Sequence, residues 1–129
     1  MANGALIFTW GNPVSGREIA GVDQLRDSFD HYNQLVDEGR VDRVRVFFNR
    51  TGDTTDWSGT MVVEGNLDKL RQIQTEDTYQ RNLERAHLVV NHLTVMTCIG
   101  GTLEDLAEPL SHYTEALTKV SPAVHPGGG

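Results

Sequence analysis

The sequence predicts an α+β domain in the order β-α-β-β-α-β, with one further helix at the C-terminal end. Three observations predict it. Four short runs are rich in strand formers, and in three of them apolar residues fall on both faces. Two longer stretches instead repeat their apolar residues every three or four positions, as one face of a helix does. Glycine, asparagine and aspartate cluster between these segments, where turns are required.

Ala5 to Trp10 (ALIFTW) is a short apolar run and reads as a strand buried on both faces. Between Arg17 and Glu38, Ile19, Val22, Leu25, Phe29, Tyr32 and Leu35 or Val36 form one apolar stripe. Gly39 stands where a left-handed cap would end that helix. Arg43 to Asn49 (RVRVFFN) alternates, with Val44, Val46 and Phe48 on one face. Thr60 to Glu64 (TMVVE) pairs with it across the turn-rich TGDTTDWSG, as a long-looped hairpin. Leu67, Leu70 and Ile73 make a short helical stripe, and Tyr79, Leu83 and Ala86 or His87 make another, with Thr75 as a cap between them. Leu93 to Ile99 (LTVMTCI) is the fourth strand, closed by Gly100 and Gly101. Thr102 with Asp105 reads as the cap of the last helix, which Pro109 breaks or kinks before it runs on towards Lys119. Residues 1–120 are expected to form one domain, and residues 121–129 (SPAVHPGGG) a disordered tail. This order of elements is the ferredoxin-like, split βαβ arrangement: a four-stranded antiparallel sheet with its helices on one face.

The stretch from Gly11 to Glu18 (GNPVSGRE) spaces its glycines like a phosphate-binding loop. Such a loop needs a lysine for the phosphates and a hydroxyl for magnesium. Here Arg17 and Glu18 stand in those places, and a carboxylate would repel phosphate. The same residues read more simply as a capping box, Ser15 and Glu18 each bonding the other's main-chain N–H.

A formal charge of −7, from 11 basic and 18 acidic residues, argues against nucleic acid and against an anionic membrane surface. Cys98 is the single cysteine, so no intrachain disulfide forms. With no signal-like N-terminus and no membrane-length apolar run, a cytoplasmic location is expected. Cys98 reads as a small core residue. The five histidines contain no H-x-x-x-H pair, so no metal site and no cofactor is expected. Arg43 and Arg45 share a strand face, for an anionic ligand or for salt bridges. Trp10 and Trp57 suit either an apolar pocket or an interface.

Leu6, Ile7 and Phe8, Met61, Val62 and Val63, and Val95 and Met96 place apolar groups on both faces of the predicted sheet. In this the chain resembles the dimeric α+β barrel superfamily, over roughly residues 5–100. The segment LDKLRQIQTEDTYQRNLERAHLVVNHLTVMTCIGG also resembles small uncharacterised bacterial proteins of that type. The resemblance implies a homodimer in which two sheets meet, and a ligand cavity between sheet and helices. A small apolar or aromatic ligand would then contact Trp10, Tyr32, Met61, Tyr79, His87 and Met96. It also implies an alternative, a cofactor-free monooxygenase or isomerase acting on an aromatic or polyketide-like compound, with His87 or His92 as general base. A structural or interaction protein without a ligand is the third reading.

Overall fold

Strand β1 spans Gly4–Trp10 and buries every second residue, Leu6, Phe8 and Trp10 among them. Strict alternation of this kind marks a strand with one face on a core and the other facing away. The structure is a computed structural model that describes residues 2–104 and 106–124, with side-chain burial through residue 119. After β1 come α1 (Glu18–Asp37), β2 (Arg43–Phe48), β3 (Gly59–Gly65), α2 (Leu67–Gln74), α3 (Asp77–Val89), β4 (Thr94–Ile99) and α4 (Ala107–Val124). The four strands form one antiparallel sheet in the order β2-β3-β1-β4, the ferredoxin-like arrangement expected from the sequence.

The register decides which residues share a face. Val44, Val63 and Leu6 form one row and Val46, Met61, Phe8 and Val95 the next, both beneath the helices. Helix α1 packs on α3 and β2, and α2 packs on β1. Leu6, Val63, Leu70 and Ile73 are sealed from solvent at the centre of this layer. Among the described residues, no helix packs extensively on the opposite face. Across it run Arg45, Val62, Ile7 and Met96, then Phe47, Thr60, Thr9 and Thr94, then Arg43, Glu64, Ala5 and Cys98. Cys98 is therefore half-buried on the open face rather than in the core.

Several local expectations give way to tertiary contacts. The capping box does not form: α1 begins at Glu18 with Arg17 as its cap residue, and the Glu18 carboxylate accepts from Gly16 N–H at 3.1 Å. The loop before it is held instead by the end of α3. Val14 N–H donates to the Val89 carbonyl, Pro13 bridges Val90, and Arg17 Nη1 donates to the Leu88 carbonyl at 2.6 Å. The first turn of α1 also stands clear of the core, leaving Ile19 80% exposed; the inward positions are Gly21, Gln24, Tyr32 and Leu35.

Gly39 ends α1 as expected, at φ 75°, and Arg40 N–H bonds back to the Leu35 carbonyl. Asn66 caps a helix with its side chain where Thr75 was expected to: its Oδ1 accepts from Lys69 N–H at 3.1 Å, opening α2. Thr75 closes α2, and its hydroxyl donates to the Gln72 carbonyl.

Pro109 does not break α4. It sits in the first turn, where its missing N–H has no carbonyl to bond within the helix. Asp105, read as part of that cap, lies outside the described residues. The helix continues through Val124, past the expected start of a tail at 121, and residues 125–129 lie outside the described residues.

Candidate functional site

Between the sheet and helices α1 and α3 lies a cavity of about 170 Å³. The sheet supplies Phe8, Trp10 and Met61 as its floor, consecutive inward positions of β1 and their β3 partner. Helix α1 contributes Gln24, Leu25 and Tyr32, and α3 contributes Tyr79, Leu83 and Ala86. These belong to the inward faces of the two helices, so the packing that builds the core also builds the wall. Among the described residues, no charged side chain lines the cavity. The exposed lining residues, Pro13, Val22 at 53% and Phe48 at 58%, mark where it opens.

The aromatic side chains are held at defined angles. Phe8 lies 5.7 Å from Tyr32 and 6.5 Å from Tyr79, centroid to centroid, both tilted. Trp10 meets Phe48 edge-on at 6.5 Å. Trp10 lies against the bare backbone of Gly59, where a Cβ would come within 2.5 Å of the indole. The Tyr79 hydroxyl accepts from Gln74 Nε2 at 3.2 Å, and Gln74 Oε1 accepts from Thr97 on β4 at 3.3 Å. Burial, and then the neighbouring Tyr79, push the Tyr32 hydroxyl well above its ordinary range, so it keeps its proton. His31 packs edge-on against Tyr32 at 5.1 Å, and burial lowers its pKa.

Four of the residues expected at a ligand site thus meet at one cavity: Trp10, Tyr32, Met61 and Tyr79. Met96 does not join them. It is the register partner of Ile7, which points away from the helices, and it is 47% exposed on the open face. His87 and His92 are both exposed and neither lines the cavity. His87 is on the outer side of α3. His92 is in the turn before β4, at φ 56°, and its Nε2 lies 3.0 Å from Asp56 Oδ1.

That pair helps tie the loops near the mouth. Gly11 N–H donates to the Asn91 carbonyl at 2.7 Å, Asn12 N–H to the Thr55 carbonyl at 3.1 Å, and Asn91 N–H to the Asn12 carbonyl at 2.9 Å. The N–H groups of Gly11, Asn12, Val14, Gly16 and Arg17 therefore all bond within the fold, which leaves no cradle for phosphate.

The sequence reading missed Gln24. It is 4% exposed, yet it sits among apolar neighbours with its Oε1 unbonded. The one sequence signal pointing to it is the spacing Gly21, Gln24, Ser28, Tyr32 and Leu35, a helical face hidden by its mixed chemistry. Arg43 and Arg45, the candidate anion clamp, both turn to Glu64 within their own chain, at 2.7 and 3.4 Å.

No family model matches the chain, and no curated protein matches it. Among solved structures it is similar to a dimeric protein of unknown function with a ferredoxin-like fold from Bacteroides fragilis. The identity is 14%, over 74% of this chain and 94% of that one, with a TM-score of 0.53. That likeness is one of fold. Among the described residues, no helix is long and apolar enough to cross a membrane.

Proposed function

We propose that this protein is a small-molecule binder that works as a homodimer, with the two faces of its sheet divided between the two tasks. The helix-covered face holds a small, largely apolar ligand. The observation that carries this reading is the cavity of about 170 Å³, walled by aromatic and aliphatic side chains and free of charge. Ligand sites are concave and mostly apolar, with a few placed polar groups, and this one matches that description. Cores close-pack, so a void of this size left unfilled forfeits contacts on every side.

The open face supports the dimer. Ile7, Val62, Met96 and Phe47 form an apolar band there, flanked by the Arg43–Arg45–Glu64 ion pairs and by threonines. A sheet with one bare apolar face is completed by a second sheet about 10 Å away. Helix α4 adds exposed Leu110, Tyr113 and Leu117, spaced along one stripe for the same partner. The structural relative is described as dimeric, which agrees with this reading. The acidic charge and lone Cys98 fit a cytoplasmic protein working without nucleic acid or membrane.

Catalysis draws less support. A base must reach its substrate, and His87 and His92 stand outside the cavity, while the titratable groups lining it, Tyr32 and Tyr79, are phenols. Native mass spectrometry tests the proposal: a dimer that takes up benzene supports it. A monomer removes the dimer, and failure to take up benzene removes the ligand site.

A further inference from the structure

Helix α4 has no face buried in its own chain. Every side chain from Ser111 to Lys119 is exposed, and among the described residues the helix packs extensively on no other element. It is anchored at its root, where Leu106 lies against Gly100 at the end of β4. A helix in a protein gains most of its stability from packing one face. One of 18 residues that projects from the fold is therefore built to be covered.

Spacing and charge identify the cover. Leu110, Tyr113 and Leu117 recur three and four residues apart, and in the sequence Val120 and Val124 continue the same alternation. That is a 3.5-residue repeat, the narrow seam of one helix against another rather than the broader stripe of a helix laid on a core. The flanking positions Ala107, Thr114 and Ala116 are small and uncharged, so a second helix can come close. The charges stand on the far side and face one another: His112 Nε2 lies 4.0 Å from Glu108 Oε1, and Lys119 Nζ lies 4.0 Å from Glu115 Oε1. In a chain of formal charge −7, a surface that meets its own copy must keep carboxylates out of the contact, and this seam does so. The same composition argues against a membrane surface, which selects helices rich in lysine and arginine. An isologous dimer sets each element near its two-fold axis against the same element of the partner. Resting on the reading of the protein as a homodimer, we propose that α4 pairs with α4 of the second copy, with Leu110, Tyr113 and Leu117 of each forming the seam. So short a seam would not hold two free helices together; it reinforces a dimer that the sheets begin.

The test mixes two charge-complementary forms of the full chain. The acidic form carries Leu110→Glu, Tyr113→Glu and Leu117→Glu, and the basic form carries Leu110→Lys, Tyr113→Lys and Leu117→Lys. One form is isotopically labelled, so that native mass spectrometry separates heterodimer from homodimers. Seam positions face seam positions whether the helices run parallel or antiparallel, so the two forms complement each other in either case. Each form alone is expected to dissociate about tenfold or more readily than the wild type, because like charges meet. Mixed, the two are expected to form mainly heterodimer, as complementary charge selects the partner. A monomeric wild type overturns the dimer reading and this inference with it. A dimeric wild type whose two forms show no preference for each other, or dimerise alone as tightly as the wild type, overturns the pairing and leaves the dimer. A form that fails to fold, judged by circular dichroism, places the seam inside its own chain and overturns the pairing as well.

Discussion

Filling the cavity should make the protein more stable and less able to bind. Ala86 lines the wall from α3, so Ala86→Leu extends three carbons into the space. At about 24 cal/mol per Å³, the full cavity of about 170 Å³ corresponds to about 4 kcal/mol, an upper figure because the cavity opens between Val22 and Phe48. Three buried carbons at about 0.8 kcal/mol each contribute about 2.4 kcal/mol, and ordering the leucine side chain removes about 0.7 kcal/mol of that. The net expectation is a gain of about 1.7 kcal/mol, or a rise of about 6 °C in melting temperature for a chain of this length. The assay is thermal and urea unfolding of wild type and variant, each with and without benzene. Benzene should raise the melting temperature of the wild type by mass action and leave the variant where it is. A variant no more stable than wild type, and still stabilised by benzene, would refute the reasoning, because the added carbons would not then occupy the space the ligand needs.

The remaining predictions concern the scaffold and the open face. Gly11→Ala would set a Cβ 2.2 Å from the Thr55 carbonyl, a main-chain group that cannot swing aside; it should cost about 1–3 kcal/mol in urea unfolding, and an unchanged midpoint would show the loop to be free to move. The Arg43 hydrogen bond, with Arg45 adding to it, holds the Glu64 carboxyl below the usual carboxylate range. Its contribution is thus present above the unfolded value of about 4.3 and is lost as pH falls through the lowered folded value. Glu64→Gln should remove that part of the acid dependence, about 0.5 kcal/mol because the partner arginines stay exposed, and an identical stability–pH profile in the variant would count against it. Val62→Lys, in the middle of the open face, should give a folded monomer by size-exclusion chromatography that binds aromatic ligands as the wild type does. Retention of the dimer would place the interface elsewhere.

The parts of the fold legible in the sequence are those that depend on one segment at a time. The alternation of β2, the apolar stripes of α2 and α3 and the glycine that ends α1 are local patterns, and each appears where the sequence places it; β1 is a strand as expected, but it alternates in burial where its apolar run predicted burial on both faces. What was not legible depends on contacts between distant segments. The face on which Met96 lies is set by pairing with Ile7, and a shift of one residue would have exchanged it with the equally apolar Val95. The Ser15–Glu18 cap competes with bonds from the same loop to the end of α3, and the tertiary bonds prevail. Ile19 and Val22 continue the apolar stripe of α1 but extend beyond what the sheet can cover. Gln24 was hidden for the converse reason: a glutamine counts as surface in any periodicity, and only the Asn82 carbonyl, fifty-eight residues away, brings it inside.

Two methionines report on the two faces of the sheet, Met61 in the cavity wall and Met96 on the open side. Methyl-labelled methionine NMR therefore tests the central claim, a division of labour between the faces, in one sample. Benzene should shift the Met61 methyl signal and leave Met96 in place, and dilution through the dimer dissociation range should shift Met96 and leave Met61 in place. A Met61 signal indifferent to benzene, or a Met96 signal indifferent to dilution, would contradict the account.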